Sequence, residues 1–263
     1  MSEQGVWTMD VNKEVLKLRG LAVPLTLLAV WWIMTNNEWV SAVFLPPPET
    51  VAATCVKLFL KGKIFVDLNE SITKVAIGFL AGITAGFVLG TAMGLSSTIE
   101  KLFGPLFNAV RQVPILGWIP VLILIFGLTE LTKIIFIAMG AFYPMTLNTF
   151  DGCRQLKKEY LEVARVFEFN RLRLLWRFIL PSALPSILAG IRVSMSEAWM
   201  LVIGAEIFFK ARGGIGDMMW EAKTRVQMDI VLITILIIGV IGFILNHAMK
   251  ILENRLLRWR SSN

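Results

Sequence analysis

The chain has 263 residues, of which 56% are hydrophobic and 17% are charged, and its formal net charge is +7. Soluble domains carry about 25% charged residues, so a mean hydropathy of +0.69 favours a membrane protein. The basic excess is then expected beside membrane spans, not on nucleic acid. With one His and two Cys, we expect no metal centre and no His-based active site.

The first 74 residues are predicted to hold one span. Residues 1–20 are polar and are expected to be a cytoplasmic segment. Residues 21–35 form the first apolar run, which is short against the about 20 residues that cross a bilayer. Pro46-Pro47-Pro48 then imposes an extended segment, because proline cannot continue a helix. Residues 49–74 are expected to form an amphipathic segment outside the membrane, so 21–74 is treated as one region.

The second predicted span, residues 75–95, carries a glycine at every fourth position. The glycines are Gly78, Gly82, Gly86, Gly90 and Gly94. This spacing keeps them on one slowly drifting helix face, and in lipid such a face lets another backbone approach closely. We interpret the stripe as a helix-packing surface; a direct part in a transport pathway is the alternative.

Four further apolar runs complete the prediction, after an amphipathic segment at 96–112. They lie at 114–128, 134–149, 178–209 and 230–249. With the N-terminus inside, most Lys and Arg fall on the cytoplasmic side. The sequence thus predicts an all-α polytopic membrane protein of about six transmembrane helices. Its core is 75–249, with a charged cytoplasmic loop at 150–177 and a basic cytoplasmic tail at 250–263.

The charged loop reads as two short amphipathic helices. In the first, one face carries Tyr160, Val163, Ala164 and Phe167. A short helix parallel to the membrane transmits the motion of a docked partner to the two spans that it joins. The apolar face suits a groove on that partner, with Glu162 at its edge. On pattern alone, a helix lying on anionic lipid headgroups is an equal alternative.

The fifth span holds ionisable residues, which are expensive in a bilayer and normally face a cavity or a partner. The candidate pathway residues are Arg192, Ser196, Glu197, Trp199 and Glu206. Arg192 and Ser196 share one helix face. Either Arg192 pairs with Glu197 or another carboxylate, or it attracts an anionic solute in a cavity. Glu206 is interpreted as a gate, a contact for a partner protein or an interfacial pairing.

Several short motifs together resemble one transporter family. Glu162-Val163-Ala164, followed by Leu180-Pro181, resembles the EAA loop of ABC-type importer permeases. That family has a turn glycine where this chain has Glu168, and Asn170 is expected to supply the turn. Other motifs are similar to the branch that imports nitrate, bicarbonate, sulfonates and taurine. They are Arg111-Gln112-Val113-Pro114, Phe142-Tyr143-Pro144, Ala205-Glu206 and Gly214-Ile215-Gly216.

The resemblance implies a type I importer permease (MetI-like) in the bacterial inner membrane, with both termini cytoplasmic. It would import a small anion by alternating access, together with a second permease copy, two cytoplasmic ATPases and an extracytoplasmic binding protein. ATP and Mg²⁺ would sit on the ATPases, since this chain has no Walker A motif and no cofactor is expected in it. The implied coupling residues are Tyr160, Glu162, Val163, Ala164, Phe167, Glu168 and Asn170.

The glycines before the last span are Gly213, Gly214 and Gly216. We interpret them as turn residues, because glycine adopts positive φ at little cost; a gate or a binding-protein contact is the sharper alternative. The alternative function is a secondary transporter or channel that uses Arg192, Glu197 and Glu206, but the chain has no obvious inverted repeat. A membrane enzyme is disfavoured because no catalytic grouping is recognisable.

Overall fold

The computed structural model describes residues 22–154, 171–209 and 213–258, and within these ranges all regular structure is helical. The helices are α1 (Ala22–Asn36), α2 (Pro48–Leu60), α3 (Lys63–Leu95), α4 (Ser97–Gln112), α5 (Ile119–Phe126), α6 (Glu130–Arg154), α7 (Leu180–Phe208), α8 (Ile215–Thr224) and α9 (Met228–Leu256). A 3₁₀ turn, Ile115–Trp118, precedes α5. Helical residues Arg171–Leu174 and a π-turn, Leu175–Ile179, lead directly into α7.

The chain divides into two compact units. Among the described residues, one unit contains 22–61 together with Glu221–Ile233, and within it Thr54 Oγ1 donates to Asp229 Oδ2 at 2.7 Å. The other contains the described residues of 62–220 and 234–258. All the predicted pathway residues of the fifth span belong to this second unit, whose core is formed mainly by α3, α6 and α7.

The prediction of an all-helical polytopic membrane protein is confirmed. Among the described residues, α3, α6, α9 and the continuous segment Leu175–Phe208 are long and apolar enough to cross a membrane. The helix α4 and the segment Ile115–Phe126 form a fifth candidate span, bent by 95°. The apolar helix α1 is shorter than the about 20 residues that cross a bilayer.

The glycine stripe of α3 packs against α6, which confirms its interpretation as a helix-packing surface. A methyl group added at Gly78 would lie 2.7 Å from Ile137 Cγ2, and one at Gly86 would lie 2.8 Å from the Phe142 carbonyl oxygen. Gly82, Gly90 and Gly94 are equally enclosed, by Ala138, Thr146 and Cys153. Without Cβ atoms on α3, the two backbones approach closely along the whole seam.

Two spans differ from the sequence expectation. The helix α3 begins at Lys63, well before residue 75, and Lys74, the last charged residue before the apolar run, is buried and paired with Glu206. The third predicted span, 114–128, is not one helix: Pro114 ends α4 before it, and the apolar run itself divides into the 3₁₀ turn and α5, which has Pro120 in its first turn. The eight residues of α5 extend only about 12 Å, too short to cross alone.

The predicted coupling segment falls on residues 155–170, which lie outside the described residues. The residues concerned are Tyr160, Glu162, Val163, Ala164, Phe167, Glu168 and Asn170. Their role therefore stays a prediction, as do the domain boundaries at 20, 74 and 249.

Candidate functional site

A fully buried carboxylate is the centre of a polar cluster between α3 and α7. The Glu206 cluster consists of Ser71 and Lys74 on α3, Glu206 on α7 and the turn at 213–216. Glu206 has 0% exposure, and the Lys74 ammonium lies 3.2 Å from its Oε1. Ser71 Oγ, also buried, lies 2.8 Å from Oε1 and 3.0 Å from Oε2. A buried charge needs a counter-charge and hydrogen bonds, and Glu206 has both.

The same groups also hold the turn that precedes α8. Lys74 Nζ donates to the carbonyl oxygen of Gly213 at 2.7 Å, and the backbone N–H of Ile215 donates to Ser71 Oγ at 2.9 Å. The N–H of Gly216 donates to Glu206 Oε2 at 2.8 Å. Each of the three side chains therefore binds both another member of the cluster and the backbone of the turn.

The three glycines are required for two different reasons. Gly213 and Gly214 have φ values of +94° and +114°, where a side chain is strained, and a Cβ at either position would collide with the carboxylate of Glu70 or Glu206. At Gly216 a Cβ would lie 2.8 Å from the carbonyl oxygen of Ile203. The turn interpretation is confirmed, whereas a gate or a binding-protein contact stays a prediction.

Three further charged residues border the cluster. Lys74 lies 3.8 Å from carboxylate oxygens of both Glu70 and Glu130. Lys133 is completely buried on α6 and pairs with Glu130 at 3.1 Å. Glu206 therefore lies in a network contributed by three long helices, which corresponds to the interfacial pairing among the alternatives for this residue.

Sequence reasoning missed Ser71 and Lys74, although a signal was present. Lys74 stands four residues before Gly78, and so continues the period of the glycine stripe onto the same face of α3. A face that is enclosed by α6 along its apolar part is expected to stay enclosed one turn further on. A lysine at that position therefore needs a buried carboxylate as its partner.

Arg192 lies in a different setting. Its Nε is 3.4 Å from Glu253 Oε2 near the end of α9, and the two side chains are 38% and 20% exposed. The partner is thus a carboxylate elsewhere in the chain and not Glu197, which is half-buried on α7. Ser196, four residues on, is exposed, and its hydroxyl donates to the Arg192 carbonyl oxygen at 3.3 Å.

The exposed side of α7 forms a continuous face, which we call the α7 open face. It consists of Val193, Ser196, Met200, Gly204 and Phe208, which are exposed or, at Gly204, have no described atom within 4 Å of an added Cβ. Trp199 lies on the other side of the helix, 6% exposed, and donates from Nε1 to the Ile238 carbonyl oxygen at 3.1 Å. A cavity of about 320 Å³ separates α7 from α9 beside Ser196, Trp199 and Asn246.

The predicted pathway residues thus differ in exposure. Arg192 and Ser196 reach the exposed side of α7, Glu197 is half-buried, and Trp199 and Glu206 are packed inside. The described residues include no group of three or more His, Cys, Asp or Glu placed to hold a metal ion. The chemistry that this arrangement supports is recognition of charge by exposed polar groups beside a rigidly packed helix core.

Residues 78–258 match the family described as the binding-protein-dependent transport system inner membrane component. The chain belongs to this family. It is a permease subunit of an ABC importer, a membrane component that is not itself an enzyme. The resemblance to ABC-type importer permeases and the predicted permease function are confirmed.

The chain is similar over nearly its whole length to several permeases. It is 38% identical to the putative aliphatic sulfonates transport permease protein SsuC of Bacillus subtilis (strain 168), over 93% of this chain and 88% of the relative. It is 31% identical to the taurine transport system permease protein TauC of Escherichia coli (strain K12), over 96% and 93%. The bicarbonate transport system permease protein CmpB of Synechococcus elongatus is 30% identical, over 92% and 91%.

Solved structures support the fold. An amino acid ABC transporter crystallised with histidines matches with a TM-score of 0.61 at 14% identity, covering 78% of this chain and 96% of that one. An inward-facing MetNI methionine transporter matches with a TM-score of 0.52 at 15% identity, covering 69% and 92%. At these identities the likeness concerns the fold, and it confirms the predicted MetI-like architecture.

Proposed function

We propose that this permease imports a small anion of the sulfonate, taurine, nitrate or bicarbonate class. Within this class, aliphatic sulfonates are the favoured substrates. The observation that carries the proposal is the 38% identity to a putative aliphatic sulfonates permease across 93% of the chain. Taurine is itself a sulfonate, so the similarity to a taurine permease points to the same chemical group. A tetrahedral anionic head on a small organic body is the solute that these similarities favour.

Arg192 is the residue that we propose attracts the anion. Its guanidinium is only partly neutralised by Glu253, since the contact is 3.4 Å long and the two side chains are 38% and 20% exposed in the isolated chain. Guanidinium groups bind oxyanions through two parallel hydrogen bonds, which suits a sulfonate. The exposed hydroxyl of Ser196 lies one helical turn away on the same face, and rotation away from the Arg192 carbonyl oxygen would let it donate to the anion.

We further propose that ATP is hydrolysed by two separate cytoplasmic subunits that dock on residues 155–170, with both chain termini on that side. The helix α6 is described up to Arg154, and the helical residues described from Arg171 run without a break into α7. A load applied to the segment between them therefore acts on two long, closely packed helices. A second permease copy, facing the first, and an extracytoplasmic binding protein complete the proposed importer.

Reconstitution tests the solute class directly. The permease is co-expressed with its ATPase and placed in proteoliposomes, and the solute-loaded binding protein is added outside. We expect ATP hydrolysis and uptake of labelled taurine or an alkanesulfonate to rise together, with glucose as the uncharged control. Uptake without ATP would instead identify a secondary transporter or channel. Stimulation by bicarbonate or nitrate alone would reject the sulfonate assignment while keeping the importer.

Two variants test the coupling segment. Glu162→Ala and Phe167→Asp remove a polar edge and an apolar anchor from the proposed docking helix, so we expect both to abolish uptake. The permease should stay in the membrane at its normal level, and co-purification of the ATPase should weaken. Lys158→Ala is the matched control, because Lys158 lies on the side of the same predicted helix opposite to the apolar face of Phe167, one turn before Glu162. Normal uptake by both test variants would reject docking at this position.

A further inference from the structure

We infer that Lys74 and Ser71 of α3 are positioning residues that fix the turn at 213–216 to α7, so that the turn moves together with α3 and α7 as one body. The two side chains act through Glu206 and through direct bonds to the turn. The consequence for transport rests on the proposed function. The positioning itself rests only on the contacts of the described residues.

The geometry goes beyond what neutralising a buried charge requires. An ion pair between Lys74 and Glu206 needs only their 3.2 Å contact, yet the same ammonium also donates to Gly213 at 2.7 Å. Ser71 donates to Glu206 and accepts from the N–H of Ile215 at 2.9 Å. If both members of the pair were made neutral, no unpaired charge would be buried. The hydrogen bond from Lys74 to the turn would nevertheless be lost.

The turn is tightly enclosed at its glycines, so it cannot shift without breaking these hydrogen bonds. Gly214 and Gly216 lie directly against the carboxylate of Glu206, with no room for a Cβ. The N–H of Gly213 is held in addition by Asp217 at 3.1 Å, inside the first turn of α8. Three elements therefore converge on four consecutive residues, which is typical of a preorganised segment and not of a flexible hinge.

The position of the cluster connects this rigidity to transport. The cluster borders Glu130, the first residue of α6, whereas residues 155–170 follow the last residue of α6. The 25 residues of that helix span about 37 Å, so the cluster lies at the end opposite to the proposed ATPase. A turn fixed there to α3 and α7 follows the movement of those helices instead of opening independently.

Hydrogen exchange tests the positioning in the purified complex of permease and ATPase. The double variant Lys74→Met with Glu206→Gln leaves no buried unpaired charge, and the side-chain amide oxygen introduced by Glu206→Gln still accepts from Ser71 or Gly216. We expect the peptide that covers residues 213–218 to exchange roughly tenfold faster, because the bond from Lys74 to the turn is gone. Peptides of α6 within 136–146 should exchange at the unaltered rate.

A matched pair of hydroxyl variants isolates Ser71. Ser71→Ala removes the acceptor of the Ile215 N–H and should accelerate exchange there. Thr73→Ala should not, because its hydroxyl bonds to the Asn69 carbonyl oxygen of its own helix. Exchange at 213–218 that stays within about twofold of the unaltered protein in both the double variant and Ser71→Ala would overturn the positioning role.

The ratio of solute-stimulated to basal ATP hydrolysis then tests its part in transport. A purely structural pair predicts a normal ratio in the charge-free double variant; positioning predicts a reduced ratio with unchanged basal hydrolysis. A normal ratio despite faster exchange would overturn the role in transport. If the unaltered complex shows no stimulation by any sulfonate, the proposed solute class fails, and the exchange result still decides whether the turn is positioned.

Discussion

Two ion pairs involve the same helix, α7, and they differ in almost every respect. Lys74 and Glu206 are 8% and 0% exposed, and the carboxylate is further bound by a hydroxyl and a backbone N–H. Arg192 and Glu253 are 38% and 20% exposed. Arg192 precedes Glu206 by 14 residues, which is about 21 Å along the helix.

The difference separates packing from recognition. A charge buried as completely as Glu206 is inaccessible to a solute, and its free energy depends on partners that cannot leave without a large loss. A guanidinium that remains in contact with solvent exchanges one anionic partner for another at little cost. Both residues stand out in the sequence as charges in an apolar span, yet Glu206 is enclosed and Arg192 is partly exposed, so only the proposed role of Arg192 requires access to a solute.

The largest effect is expected when one member of the buried pair is removed. Lys74→Met leaves Glu206 without its cation, and breaking a buried pair in this way destabilises a protein by about 3–5 kcal/mol. We expect a low protein level in the membrane and a strongly reduced melting temperature in detergent. Size-exclusion chromatography with fluorescence detection after heating measures both.

The double variant Lys74→Met with Glu206→Gln is the control, because it removes both charges and should recover most of the stability. Arg192→Gln, measured in parallel, should leave the melting temperature nearly unchanged. An equal loss of stability in Lys74→Met and Arg192→Gln would remove the contrast between the two ion pairs.

The same contrast between enclosed and open positions applies to the glycines. An added methyl group at Gly86 would lie 2.8 Å from the Phe142 carbonyl oxygen and 2.9 Å from Met145 Cβ, so that α3 and α6 would have to separate. We expect Gly86→Ala to lose about 1–3 kcal/mol, typical of overpacking, measured by the same thermal assay. Gly204→Ala on the α7 open face meets no described atom within 4 Å and should not be destabilised.

If Gly204→Ala proves as harmful as Gly86→Ala, the α7 open face is covered in the assembled protein as tightly as the α3–α6 seam. A second permease copy is the proposed partner for that face. The thermal assay would then be repeated on the complex and on the isolated chain, since only the complex should show the loss.

The sequence predicted the features that depend on periodicity. The glycines from Gly78 to Gly94 and the charges of the fifth span were visible as patterns, and their consequences for packing followed from helix geometry. Contacts between residues that are far apart in the chain could not be predicted from the sequence. Glu206 meets residues more than 130 positions earlier in the chain, and Arg192 meets a carboxylate in the last helix, contacts that only the arrangement of the helices determines.

Helix ends were the other limit. The charged turns from Lys63 to Lys74 read as polar and therefore as lying outside the membrane core, although they continue α3 without interruption. Hydropathy measures the preference of a residue for water, and it does not register that another helix supplies the opposite charge. At Pro114 hydropathy did not reveal that the amphipathic helix and the apolar run after it meet at a bend of 95° and together form one candidate span.

The smallest effect on stability, and the sharpest on transport, is expected at the exposed pair. Arg192→Gln should change the free energy of unfolding by no more than about 1 kcal/mol, as for other solvent-exposed pairs. If Arg192 attracts the anion, sulfonate uptake should fall severalfold, with a raised KM in proteoliposomes at normal protein level. Glu253→Gln is the matched control, because it breaks the same pair and leaves the guanidinium free. If Arg192 attracts the anion, Glu253→Gln should keep or improve uptake. Equal losses of uptake in both variants would show that the pair serves only to hold α7 against α9.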